Sequence, residues 1–167
     1  YLCWGMGGAI IRVVTVIAAV VAGATLHPAR IALDPPVAMS LADPRVRQDS
    51  IGATVCVRGY TRRQRPAHRH TRRIKMQRLA AMGLGPEHAG RYQLVHRLPM
   101  SLGGAASDPV NLALQERGEA GAKDGIERKL GCLVCAGALT IDAARTALMA
   151  DWRAAREQWA GVACRRG

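Results

Sequence analysis

His96 and Asn111 are the side chains whose type and spacing point to chemistry. His96 closes the short apolar run Tyr92-Gln93-Leu94-Val95, and Asn111 lies early in a second run, Val110 to Leu114. A neutral imidazole accepts a proton from water near pH 7, and an amide carbonyl is a ligand for a hard cation. For the two to cooperate, the chain must bring them together. Runs of four to eight residues bounded by Gly, Pro and Asp read as strands. Here Gly103-Gly104 and Asp108-Pro109 separate the runs, which predicts a two-strand finger with His96 and Asn111 facing each other near its open end.

The residues Val95-His96, Pro99-Met100-Ser101-Leu102-Gly103-Gly104 and Asp108-Pro109-Val110-Asn111-Leu112 carry a resemblance. The stretch resembles the HNH endonucleases of the ββα-metal type, in the branch written D-H-x-x-P-L-x-L-G-G-x-x-x-D-P-x-N-L-W. The likeness runs from about Val55 to Trp159. It takes in blocks of the forms K-D-x-x-E, L-V-C-x-G and A-x-x-D-W, seen here as Lys123-Asp124 with Glu127, Leu133-Val134-Cys135 with Gly137, and roughly Ala147 to Trp152. The resemblance implies an α+β fold, mostly helical, with a small ββα-metal hairpin finger. It implies that His96 is the general base and that Asn111 holds a divalent metal, Mg²⁺ or Mn²⁺, seated between the finger and the following helix. It also implies DNA as the partner, gripped by its phosphate backbone, with no small-molecule cofactor.

Two departures from the pattern bear on the site. Val95 stands where the family has its metal-binding Asp, and Ala113 stands where Trp follows Asn-Leu. An isopropyl group cannot ligate a metal, and Mg²⁺ typically takes one or two carboxylates. Asp108, three residues before Asn111, and Glu116, past the strand, are the nearest acids; either is a candidate substitute ligand, and spacing alone does not show which. Three functions therefore stand side by side. One is a metal-dependent nuclease with a rearranged metal shell. The second is an inactive HNH-derived protein that binds DNA without cutting it. The third is an exported, disulfide-stabilised domain whose charge addresses the cell envelope. The plain alternative for His96 is a satisfied structural histidine on an ordinary hairpin.

Charge favours a polyanionic partner. The 167 residues carry 24 Lys and Arg against 12 Asp and Glu, a net charge of +12, which attracts nucleic acid or an anionic membrane surface. Much of the charge is concentrated. Arg62, Arg63, Arg65, Arg69, Arg72, Arg73, Lys75 and Arg78 follow one another with no acid between them. The second half of this block predicts a helix starting with a Thr71 cap, with Met76, Leu79, Ala80 and Gly83 on one face, and ending over Gly83 to Pro86. With Arg97, these cations are the expected phosphate contacts, and affinity that rests on them falls steeply with salt. His68 and His70 form an isolated H-x-H that lacks further metal ligands.

The N-terminal residues read differently. Arg12 precedes the apolar run Val13 to Val21, and Ala22-Gly23-Ala24 offers a small-x-small cleavage pattern, so residues 1–27 read as a signal peptide, with Met6 as a candidate start. An uncleaved membrane anchor through residues 2–26 is the alternative. A cleaved signal implies export to the periplasm or beyond, with no stable membrane partner. Residues 28–43, rich in Pro, read as a linker, and residues 44–164 as the nuclease-like domain.

Within that domain Thr54-Val55-Cys56-Val57 reads as a short strand. A helix is expected from Ala122 to Val134, ended by Gly137, after a polar, Gly-rich stretch from Glu116 to Gly121. A last helix is capped by Thr140 and buries Ile141, Ala144, Leu148, Trp152, Ala155 and Trp159. There is no Phe, and aromatics are 4% of the chain, so the core rests on Leu, Val, Ile, Ala and Met. Of five cysteines, Cys3 lies in the signal. Cys132 and Cys135 form a lone C-x-x-C, weak evidence for zinc and poorly placed for redox chemistry inside a helix. An exported protein keeps disulfides. The related proteins imply a Cys56–Cys135 bridge, which leaves Cys132 and Cys164 free or paired with each other.

Overall fold

Two short strands carry the expected finger. In a computed structural model that describes residues 40–164, β1 (Tyr92–His96) pairs antiparallel with β2 (Leu112–Glu116). Tyr92 lies opposite Glu116, Leu94 opposite Leu114 and His96 opposite Leu112. The second strand starts two residues later than expected. Pro109 sets the backbone for a one-turn 3₁₀ helix, Pro109–Asn111, whose start is capped by the Asp108 side chain accepting from the Val110 N–H at 2.9 Å. Asn111 therefore precedes β2 instead of lying within it.

Helices make up most of the rest, and the fold is α+β with one small antiparallel sheet among the described residues. Before the finger lie α1 (Tyr60–Gln64) and α2 (His68–Ala81). After it lie α3 (Arg117–Cys135) and α4 (Ile141–Trp159). Helix α2 begins three residues before Thr71. Thr71 does not cap it; its hydroxyl donates back to the His68 carbonyl at 3.0 Å. Ile74 and Leu79 are its buried residues, whereas Ala80 is exposed. Gly83, at φ +71°, ends it in a Schellman arrangement, with Leu84 N–H on the Leu79 carbonyl and Gly83 N–H on the Ala80 carbonyl. Gly137, at φ +73°, ends α3 the same way, as its position predicted.

Helix α3 starts at Arg117, earlier than the Gly-rich sequence suggested. Packing overrides propensity there. Ala120 is buried, the Arg117 N–H donates to the Arg91 carbonyl at 3.0 Å, and Glu119 pairs with Arg153 of α4. Helix α4 is capped by the Thr140 hydroxyl, which accepts from the Ala143 N–H, and it buries Ile141, Ala144, Leu148 and Ala155. Trp152 and Trp159 pack on the core half-buried. A break at Asp151 (φ −161°, ψ 105°) interrupts the helix.

The predicted strand at Thr54–Val57 does not form. A 3₁₀ helix, Gln48–Ala53, runs into turns in which Thr54 and Cys56 both donate to the Ile51 carbonyl and Val57 donates to Thr54. Those amides are satisfied locally, so no sheet edge is needed.

The core joins Leu41, Val46, Leu98, Leu102, Ile126, Leu130, Val134, Ile141 and Leu148. Each leucine fully removed from water contributes about 2 kcal/mol. Leu41 is 1% exposed, and its carbonyl accepts from the Ala105 N–H at 2.9 Å. The packed chain thus includes Leu41, ahead of the boundary expected at residue 44. The signal or anchor over residues 1–27, and the linker up to residue 39, lie outside the described residues. Among the described residues no helix is long and apolar enough to cross a membrane.

Two disulfides close the domain. Cys56 bonds Cys135 and Cys132 bonds Cys164, so the C-x-x-C sends its two sulfurs to different partners.

Candidate functional site

The loop between β1 and β2 is tied from inside by Asn111. Its Oδ1 accepts from the Leu98 N–H at 2.8 Å, and its Nδ2 donates to the carbonyls of Leu98 and Ala105, each at 2.9 Å. The residue is 0% exposed. Both amide protons are used, and the carbonyl faces a backbone donor in the interior. The resemblance implied a metal ligand's role for Asn111; in the fold its amide is engaged by the loop backbone and does not line the groove described below. The same loop needs Gly104, because a Cβ there would collide with the Leu98 carbonyl and crowd the Asn111 amide.

His96 ends β1 beside this knot, half-buried. Its Nε2 lies 2.9 Å from the Ala106 carbonyl oxygen. A carbonyl only accepts, so Nε2 carries the proton and the neutral ring keeps its lone pair on Nδ1. Burial lowers the His96 pKa, the Ala106 hydrogen bond works against that shift, and the charges of Arg65 and Lys123 lower it further. The ring is thus a neutral proton acceptor at pH 7.

His70 reaches the same loop from α2, its Nε2 3.2 Å from the Ser107 carbonyl. Three consecutive carbonyls, Ala105, Ala106 and Ser107, are thereby held by Asn111, His96 and His70. The role of His70 was missed in the sequence. Residues two apart on a helix point in nearly opposite directions. With α2 starting at His68, one imidazole of the H-x-H turns to the loop while the other, His68, lines the groove in front of His96.

Lys123 supports the site from α3. Its Nζ donates to the carbonyls of His96 at 3.2 Å and Arg97 at 3.1 Å and pairs with Glu127 at 3.2 Å. Burial raises the Glu127 pKa, and Lys123 opposes that rise. The K-D-x-x-E block thus fastens the end of β1 to the helix.

His96 opens into a groove of about 930 Å³ between α2, the finger and α3. Val95 lines it beside His96; Asn111 does not. The basic block divides around it. Arg65 and Arg72 line the groove, exposed. Lys75 also lines it, but its ammonium is tied to the carbonyls of Ala89 and Tyr92, both at 2.7 Å. Arg78 reaches the Pro109 carbonyl at 2.9 Å. Arg62, Arg63, Arg69, Arg73 and Arg97 are exposed and lie outside the groove lining. Lys75 and Arg78 thus hold the finger against α2, and the exposed arginines on the groove wall are Arg65 and Arg72.

The donors around His96 do not fit a divalent cation. Val95 offers no ligand, Asn111 is turned inward, and Glu127 is engaged by Lys123, which leaves Asp124 as the other carboxylate on the groove wall. Among the described residues no three His, Cys, Asp or Glu side chains gather where a metal ion could be held.

No protein-family model, no curated protein and no solved structure matches the chain.

Proposed function

We propose that this chain is a phosphodiester-directed protein of the HNH type, which grips nucleic acid by its phosphates in the groove and presents His96 as a general base to the backbone held there. The observation that carries this reading is the His96 ring. Its Nε2 is engaged by the Ala106 carbonyl, so its free Nδ1 is the basic nitrogen of a ring on the wall of a groove edged by Arg65 and Arg72. A base in that position takes the proton of an attacking hydroxyl, and a nearby guanidinium offsets the charge that builds on the phosphoryl oxygens. Metal-assisted DNA hydrolysis, the activity that the resemblance implies, lacks its carboxylate at Val95. On this reading DNA is bound and cut slowly. The two disulfides support an oxidising compartment, and hence export to the periplasm or beyond.

The test is plasmid nicking with Mg²⁺ or Mn²⁺ by the wild type, Val95→Asp and Val95→Asp/His96→Ala. Slow nicking that rises in Val95→Asp and disappears in the double variant supports the proposal. Equal cleavage by Val95→Asp with and without His96 contradicts it.

A further inference from the structure

We infer that the substrate this groove cleaves most readily is RNA, by attack of its own 2′-hydroxyl and without a metal ion. The inference rests on the reading of His96 as a base in a phosphate-binding groove and adds the substrate class.

The groove has some parts of a phosphodiesterase and lacks others. It has a proton acceptor, His96 Nδ1, and it has positive charge at Arg65 and Arg72. It has a second imidazole, that of His68, on its wall. Among the described residues it lacks the ligand set that would hold a cation and deliver a metal-bound water. DNA carries no hydroxyl beside its phosphate to replace that water, so it is cut only slowly. RNA does, because each 2′-oxygen is already attached one carbon from its phosphate. A nucleophile held within the substrate reaches effective concentrations that a free water cannot.

The step balances without a further reactant. His96 Nδ1 takes the proton of the 2′-hydroxyl, and the O2′–P bond forms. Arg65 compensates the charge that develops on the non-bridging oxygens. The P–O5′ bond breaks, and the leaving 5′-oxygen takes its proton from His68. The products are a 2′,3′-cyclic phosphate and a 5′-hydroxyl. Among the described residues no Tyr or Trp lines the groove, so stacking is left to imidazole and guanidinium planes, which accept any base, and cleavage is expected to follow the backbone with little sequence preference.

The experiment uses the oxidised, full-length chain with end-labelled single-stranded oligonucleotides in excess EDTA. Three substrates are compared: all-RNA, all-2′-O-methyl RNA, and DNA containing one ribonucleotide. Cleavage of the first, none of the second, a single cut in the third after its ribonucleotide, and 2′,3′-cyclic phosphate ends support the inference. His96→Ala is expected to lose on the order of 10²-fold or more in rate. His68→Ala is expected to slow cleavage of normal RNA but not of RNA with a 5′-bridging sulfur, a leaving atom that needs no proton. Intact RNA in EDTA, 5′-phosphate ends, or equal rates for wild type and His96→Ala overturn it. The substrate comparison uses the wild type alone, so it decides the matter even if a variant fails to fold. RNA that is bound with salt-sensitive affinity yet stays intact overturns this inference and leaves the groove reading standing. A protein that binds neither RNA nor DNA overturns both.

Discussion

The imidazole of His96 lies with its Nε2 2.9 Å from the carbonyl oxygen of Ala106, ten residues further along the hairpin loop. That contact fixes which nitrogen holds the proton and which is basic. The loop carbonyl is itself held in a row, between the Ala105 carbonyl bound by Asn111 and the Ser107 carbonyl bound by His70. The chemistry of one ring thus depends on the loop that three side chains keep in shape.

Asn111 is predicted to be a stability residue. Asn111→Ala leaves the Leu98 N–H and the Leu98 and Ala105 carbonyls without their partner in the interior. The expected loss is roughly 3 kcal/mol, since each buried group left unpaired costs about 1 kcal/mol or more. Urea unfolding measures it. A variant of unchanged stability that loses affinity for Mn²⁺ would restore Asn111 as a ligand.

The pH dependence of stability carries two opposite contributions. Unfolded His96 binds its proton near pH 6.5, whereas folded His96 binds it only at lower pH. Between those values the unfolded chain holds more protons, so this contribution rises with pH and is lost as the pH falls through the folded value. Glu127 acts the other way. Its carboxyl titrates near pH 4.5 when unfolded and higher when folded, so its contribution is present at low pH and lost as the pH rises through the folded value. Denaturation midpoints from pH 4 to 8 are expected to lose the rising component in His96→Gln and the falling component in Glu127→Gln. Parallel profiles for wild type and His96→Gln would contradict the burial assigned to the ring.

The disulfides predict a redox-dependent stability. Cys56 and Cys135 are 79 residues apart, and closing a loop of that length in the unfolded chain contributes about 4 kcal/mol in the chain-entropy model. The Cys132–Cys164 bridge, 32 residues apart, is expected to contribute slightly less. Cys56→Ser/Cys135→Ser is therefore expected to be the more destabilised double variant. A non-reduced digest should yield peptides joined as 56–135 and 132–164. A 132–135 link would contradict the structure.

These elements differ in how openly the sequence showed them. Strand β1, the Gly137 stop and the Thr140 cap were legible because each depends on its near neighbours. The start of β2 was not, because Pro109 and Asp108 build a turn that holds Asn111 out of the strand. The start of α3 was hidden by Gly118 and Gly121, whose poor helix propensity is overcome by burial of Ala120 and by the Glu119–Arg153 pair. Thr54–Val57 has strand composition but no strand to pair with. At the site, His96 was visible from its place at the end of an apolar run. The inward turn of Asn111 depends on contacts across 6 and 13 residues, the loop contact of His70 on one across 37 and the Lys123 clamp on contacts across 26 and 27, and no local pattern encodes them.

The same holds for the basic block. Its charge was plain in the sequence, but the division of labour was not. Lys75 and Arg78 hold backbone carbonyls, while Arg65 and Arg72 face the groove.

A groove that binds a phosphate backbone in front of His96 must lose affinity as salt rises. Affinity for a labelled DNA duplex is measured in EDTA across a range of NaCl for the wild type and for Arg65→Ala/Arg72→Ala. A steep linear fall of log affinity with log salt is expected in the wild type, and a slope shallower by about 1.8 in the variant, as for two lost phosphate contacts. Wild-type binding that ignores salt, or a variant whose slope equals that of the wild type, would contradict it.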